Sequence, residues 1–224
     1  MLDFFKKVLV IAPHPDDETL GVGGTISRLS SLGVNVSVLI LGGHLPPLYK
    51  KGEFEETLKE AETAFKILGV NNWKAEEIPA TTFGNIPVVE INNKISSYIK
   101  KIKPDTVFIP FPDRHVDHRV TFEGSMVACR PVGNNYYPRL VLAYETLSET
   151  HWNAGSIEAN FIPDFFIDIT KTISKKINAL NCYYSQINGN SSRSKQSAIA
   201  LSVFRGSQNG CENAEAFKLI RLIT

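Results

Sequence analysis

The sequence predicts an α/β fold: a three-layer, Rossmann-like domain built on a mostly parallel sheet. Three observations carry that expectation. Short β-branched runs alternate with longer stretches of helical period, which is the pattern of strand–helix–strand units. The first and fourth strand-like runs, KVLVIA and TVFIP, are almost continuously apolar, as in strands covered on both faces. Right-handed crossovers between such strands favour the order 3-2-1-4-5 at the core of the sheet.

In chain order, Lys7 to Ala12 (KVLVIA) reads as the first strand. Thr19 to Leu32 sets Leu20, Ile26, Leu29 and Leu32 at helical spacing and stops at Gly33. Asn35 to Leu41 is the second strand. Glu53 to Leu68 is a helix with Leu58, Ala61, Ala64, Phe65 and Leu68 on one face and Gly69 at its end. Trp73 to Ile78 is a weaker third strand, and Val88 to Ile102 a helix that Pro104 terminates. Thr106 to Pro110 is the fourth strand, Thr121 to Ala128 a helix, and Leu140 to Tyr144 the fifth strand. Phe165 to Ile169 reads as a sixth strand and Thr170 to Tyr184 as a helix. Ile187 to Ser194 reads as a polar surface loop between helices, and Ala214 to Leu222 as a short C-terminal helix. No internal repeat interrupts the pattern, and residues 1–224 read as a single domain.

With 24 basic and 23 acidic residues the net charge is +1, so no overall field draws in nucleic acid or an anionic membrane. No segment reaches the ~20 apolar residues of a spanning helix. The N-terminal lysines and the short apolar run after them lack a small-residue cleavage site, and read as a strand rather than a signal peptide. Cys129, Cys182 and Cys211 are scattered and read as reduced thiols of a cytoplasmic protein. The partner expected is a small molecule recognised by local features, and the composition leaves room for a homo-oligomer.

The predicted topology brings the carboxyl ends of strands one and four together where the winding reverses, and ligands of such sheets bind there. Both ends carry chemistry: His14-Pro15-Asp16-Asp17-Glu18 after the first, and Asp113-Arg114-His115-Val116-Asp117-His118-Arg119 after the second. Three carboxylates in one turn repel each other unless a cation neutralises them. One imidazole and one carboxylate from the first turn, with one imidazole from the second, give three ligands and an open position. That is the pattern of a catalytic zinc site; iron(II) or another divalent ion accepts the same donors.

The carboxylate left over, Asp16 or Asp17, is then a base for a metal-activated water. His115 is spaced to stabilise an oxyanion or to protonate a leaving amine. Asp117, grouped with the catalytic residues, and Glu18 are partners to fix an imidazole tautomer. Either cluster alone also reads as a turn or a helix cap; both together at one crevice point to a metal-dependent hydrolase.

Rival readings fit less well. Gly21-Val22-Gly23-Gly24 echoes a phosphate loop, but its spacing is not GxGxxG and it falls inside the first helix, where it suits close packing. No G-x-S-x-G elbow supports a serine hydrolase. Arg114 and Arg119 are the only cations in the two motifs, few for a phosphoesterase. A sugar-binding or regulatory protein without activity, and a hydrolase of another acyl group, remain the alternatives.

The segment APHPDDETLGVGGTI resembles the signature of the PIG-L/LmbE-like N-deacetylases, and RHVDHR resembles their second metal motif. LKEAETAFKILGV, KPDTVFIP, YYSQ, FRG and AEAF are similar to further landmarks of that family along nearly the whole chain. The resemblance implies removal of the acetyl group from an N-acetylglucosamine-type sugar, carried on an inositol lipid, a thiol precursor, an oligosaccharide or an antibiotic. It implies zinc ligands at His14, Asp17 and His118, a base at Asp16, and His115 at the tetrahedral intermediate or the leaving amine. Two positions depart from the family pattern. Lys59 stands where an arginine is common, keeping the charge without the planar fork. His44, in Leu41-Gly42-Gly43-His44, replaces a Thr-Asp/Asn-Gly turn. With Arg114, these are the expected substrate contacts. His151 and Trp152 suit a mouth loop or plain packing, and Arg193 reads as a solvated arginine.

Overall fold

The computed structural model describes residues 4–133 and 136–224. Five strands, β1 (Lys7–Ala12), β2 (Asn35–Gly43), β3 (Asn72–Pro79), β4 (Thr106–Pro110) and β5 (Leu140–Tyr144), pair in parallel in the order 3-2-1-4-5. The helices that connect or follow them are α1 (Asp17–Ser31), α2 (Glu53–Leu68), α3 (Val88–Ile102) and α4 (Val116–Ala128). Then come β6 (Phe165–Asp168), α5 (Ile173–Leu180), the single turn α6 (Tyr184–Ile187), α7 (Lys195–Ser207) and β7 (Ala214–Leu222). The whole sheet reads 3-2-1-4-5-7-6, with β7 antiparallel to both neighbours.

Period-two alternation in β1 divides the core. Val8, Val10 and Ala12 pack with Val22, Ile26 and Leu29 of α1, with α2 and with Ala179 of α5. Leu9 and Ile11 point the other way, toward Ile91 and Ile95 of α3. Every residue of β4 and β5 is buried. Among the described residues no helix is long and apolar enough to cross a membrane.

The structure corrects several expectations. Ala214–Leu222 is not a helix but β7, and it pairs with the backbone of β5 that a five-stranded sheet would leave open. Nine residues make a marginal helix alone, and an unpaired buried strand edge decides for the sheet. The expected helix from Thr170 to Tyr184 is shorter, with α5 ending at Leu180 and α6 separate. Helix α4 begins five residues before Thr121, because His115 caps it: Nδ1 of its ring accepts the Asp117 N–H at 3.2 Å. Helix α7, which the pattern reading left unassigned, packs along β7.

Glycine serves close approach in α1. A methyl group at Gly21 would drive into the Tyr144 ring, which is fully buried and fixed by its hydroxyl donating to Ile11 O at 2.9 Å. We expect Gly21→Ala to lose about 2 kcal/mol, overpacking exceeding the helix-propensity gain. A thermal melt then drops by about 4–8 °C; an unchanged Tm would show that Tyr144 yields. Three residues on, the buried carboxylate of Glu215 on β7 accepts the α1 N–H groups of Gly24 (2.8 Å) and Thr25 (2.7 Å) and the Lys176 ammonium (2.6 Å). Lys176 also donates to Leu20 O at 2.7 Å. This charge pair ties β7 and α5 to the helix behind the first motif.

Candidate active site

Strands β1 and β4 are adjacent and parallel, so the turns after Ala12 and Pro110 open into one cleft. Asp16 closes the first turn at φ 109°, a left-handed conformation that non-glycine residues adopt only under constraint. Here the constraint is visible. The Asp16 N–H donates to Glu18 at 3.2 Å, and Glu18 in turn accepts Tyr183 Oη at 2.6 Å and Thr19 Oγ1 at 2.7 Å. Glu18 therefore braces the turn and does not hold an imidazole, as its position in the motif had suggested.

The histidines are held as tautomers. His14 Nε2 lies 2.9 Å from Asp117 Oδ2, whose carboxylate also accepts the Thr81 N–H at 2.6 Å and the Phe83 N–H at 3.3 Å. That leaves His14 Nδ1 turned toward Asp17 Oδ2, at 3.3 Å. His118 Nδ1 lies 3.0 Å from Asp113 Oδ2, which Thr150 Oγ1 also supplies at 2.9 Å. Its Nε2 faces Asp17 Oδ2 at 3.4 Å. Ring atoms of His14 and His118 and an oxygen of Asp17 thus gather within 4.8 Å.

A second trio, His14, His115 and Asp117, meets the same distance test, but the Asp117 oxygens and His115 Nδ1 are already committed to hydrogen bonds. In contrast, Asp17 Oδ1 and Asp16 Oδ1 are buried and receive none from any described residue. Buried carboxylate oxygens left bare are costly unless a cation meets them. The electrostatics agree: burial opposes charging His118, yet Asp17 and Asp113 pull it up to about 10. Burial likewise opposes Asp17, while His118 and His14 hold it well below the usual carboxylate range. Asp17 and Asp113 thus favour positive charge at the centre of the cluster, and a divalent cation can replace the protons there. These donors fit zinc or iron(II).

Asp16, 1% exposed, sits beside them with a carboxyl pushed up to about 7 by burial, against the pull of Arg193. Arg193 is not solvated as expected. It donates to Asp16 at 2.8 Å, to Ser148 at 2.7 Å and to Glu149 at 3.2 Å. His115 is lowered to about 4 by burial, then by His14 and His118, so its ring is neutral; with Nδ1 accepting, its proton is on Nε2.

Asp113 and Arg193 are the two residues whose parts pattern reading missed. Asp113 stood in the second motif without a signal separating it from its neighbours. Arg193 lies 177 residues from Asp16 in a polar loop, and no spacing links the two. Of the expected substrate contacts, His44 is half-buried and bonded to Gln186 Nε2 at 3.2 Å. Arg114 borders the mouth, 3.5 Å from Glu149, with its guanidinium over Trp152 at 5.5 Å. Lys59 is exposed on α2, and the structure brings it to none of these residues. His151 is drawn to Glu145 at 3.0 Å, which Arg205 grips with two hydrogen bonds.

A Rossmann-like sheet that gathers two imidazoles and a carboxylate at its switch point offers a candidate metal site, and comparison narrows the class of protein. Residues 9–129, more than half of the chain, match the family described as "PIG-L: GlcNAc-PI de-N-acetylase". The chain belongs to the PIG-L family. It is 30% identical over 200 residues to the diacetylchitobiose deacetylase of Thermococcus kodakarensis, covering 81% of this chain and 70% of that one. It is 25% identical to a probable N-acetyl-alpha-D-glucosaminyl L-malate deacetylase 2 of Bacillus cereus, covering 81% and 84%. The crystal structure of the N,N'-diacetylchitobiose deacetylase from Pyrococcus horikoshii superposes with a TM-score of 0.78 at 25% identity, covering 98% and 85%.

Proposed function

We propose that this protein hydrolyses the acetamide of an N-acetylated amino sugar of the N-acetylglucosamine type, residues 1–224 acting as one domain. The observation that carries the reading is the buried pair Asp16 and Asp17, each with one carboxylate oxygen that receives no hydrogen bond from a described residue, beside two imidazoles of fixed tautomer. His14 Nδ1, Asp17 and His118 Nε2 would hold zinc, or another divalent ion such as iron(II). When bound, such an ion polarises the acetyl carbonyl and acidifies water at the site.

The chain's own residues do the rest. Asp16 accepts a proton from the attacking water as the oxygen adds to the acetyl carbon, and Arg193 holds that carboxylate in place. The Nε2–H of neutral His115 donates to the carbonyl oxygen as it gains charge. The C–N bond then breaks, Asp16 returns the proton to nitrogen, and acetate and the free amine leave. Asp117 is a positioning residue, keeping the His14 proton on Nε2, and Asp113 does the same for His118 through Nδ1. His44 and Arg114 are offered as contacts to the substrate; Lys59, exposed on α2 and apart from both, is not. The cysteines are unpaired, which suits a reducing compartment such as the cytoplasm.

Purified protein should release acetate from N-acetylglucosamine derivatives, lose that activity to a chelator and regain it with added metal. Metal-loaded protein that releases acetate from none of them would sink the proposal in favour of another acyl group or a binding role. Asp113→Asn should weaken zinc binding about 10–100-fold, read by competition with a coloured chelator. Unchanged affinity would remove Asp113 from its positioning role.

A further inference from the structure

A hollow of about 380 Å³ adjoins the proposed site, within the ~300–1,000 Å³ range of small-molecule sites. Three segments line it: His44 and Tyr49 after β2, Glu53, Glu56 and Thr57 from the first turns of α2, and Gln186 from α6. It is built onto the first motif. Gly43 lies so close to the HPDD turn that a Cβ on it would stand 3.2 Å from Pro15 Cδ. On the far side, α6 leads through a short polar loop to Arg193, which grips Asp16.

The lining has a definite chemistry. The Tyr49 and His44 rings lie 4.1 Å apart between centroids, an aromatic wall. His44 Nδ1 takes the Gln186 amide, which leaves its Nε2–H to donate. Glu53 and Glu56 make no ion pair with any described residue, and no lysine or arginine lines the hollow. A helix N-terminus ordinarily welcomes a carboxylate or phosphate. Here Glu53, Glu55 and Glu56 already fill the first turn of α2 with negative charge.

We infer that this hollow seats the group attached to the N-acetylated sugar, and that this group is a neutral polyhydroxylated ring, a second sugar or a cyclitol, rather than an anionic acid or phosphate. Hydroxyls of such a ring donate to Glu53 and Glu56 and accept from His44, while its carbon face packs on Tyr49. An anionic carrier meets two carboxylates instead, worth about tenfold in kcat/KM. The inference rests on the deacetylase reading and narrows it to a substrate class.

The test compares kcat/KM for N-acetylglucosamine, N,N'-diacetylchitobiose, N-acetylglucosaminyl inositol and N-acetylglucosaminyl malate. The two neutral two-ring compounds should lead, malate trailing by about tenfold or more, and the better of the two leaders identifies the ring. Tyr49→Ala should shrink the two-ring to one-ring ratio about tenfold. The double variant Glu53→Gln, Glu56→Gln should raise the malate compound about tenfold relative to the disaccharide. A malate compound that matches or beats the neutral ones, or variants that change all four alike, would overturn the inference while leaving deacetylation intact. Should no compound be hydrolysed, the deacetylase reading fails separately. Calorimetric binding of diacetylchitobiose to the Asp16→Asn protein, and its loss with Tyr49→Ala, then decides for the hollow; no binding decides against it.

Discussion

The Asp16→Asn protein should fold, keep its metal and lose about 10²–10⁴-fold in turnover. Asparagine matches aspartate in shape, keeps an oxygen for Arg193, and is among the residues that best tolerate positive φ. What it cannot do is take a proton. The wild-type rate should fall as pH drops through the range where Asp16 protonates, because the working form is the carboxylate. Burial pushes the Asp16 carboxyl up to about 7, and a bound cation moves it lower without changing the sign of the limb. The residual rate of the variant should lack the limb. Metal content by atomic absorption and acetate release across pH check both parts, and an Asp16→Asn enzyme of near-normal rate would remove Asp16 as the base.

Replacing His118 with alanine should be harsher, because it strikes both the metal and the fold. His118 is 1% exposed and stands between Asp17 and Asp113. Its removal leaves two buried carboxylates facing a gap, a loss of about 3–5 kcal/mol and a Tm drop on the order of 10 °C. The dialysed variant should hold no metal and release no acetate, and added zinc should not restore it. Chelated wild-type protein, in contrast, should recover on zinc addition. Full metal retention by His118→Ala would shift the ligand set to His14, His115 and Asp117.

Much of this arrangement is legible in the sequence. Continuous apolar runs at Lys7–Ala12 and Thr106–Pro110 mark strands buried on both faces, and handedness then forces their ends together. The motif residues follow from that placement. Local pattern failed where partners are remote. The segment AEAFKLIRL reads by itself as a short helix, and the open edge of β5 makes it a strand. Arg193 is one arginine in a polar loop until Asp16 is seen beside it. Among the motif carboxylates, only geometry separates Glu18, which braces a backbone turn, from Asp113 and Asp117, which orient rings.

The carboxylate of Glu215 that holds α1 has a bearing on how the chain acquires its fold during synthesis. The helix behind the first motif is made well before its partner: the group that receives the N–H of Thr25 is encoded 190 residues later. At about 5–20 residues per second the interval is on the order of ten to forty seconds. Late in that interval, once they have been made, Lys176 has no Glu215 to meet, 39 residues short of it, and the outer edge of β5 has no strand beside it until β7 follows. Pairing along the outer edge of β5 therefore waits on β7, the strand that follows all the others of this sheet in chain order.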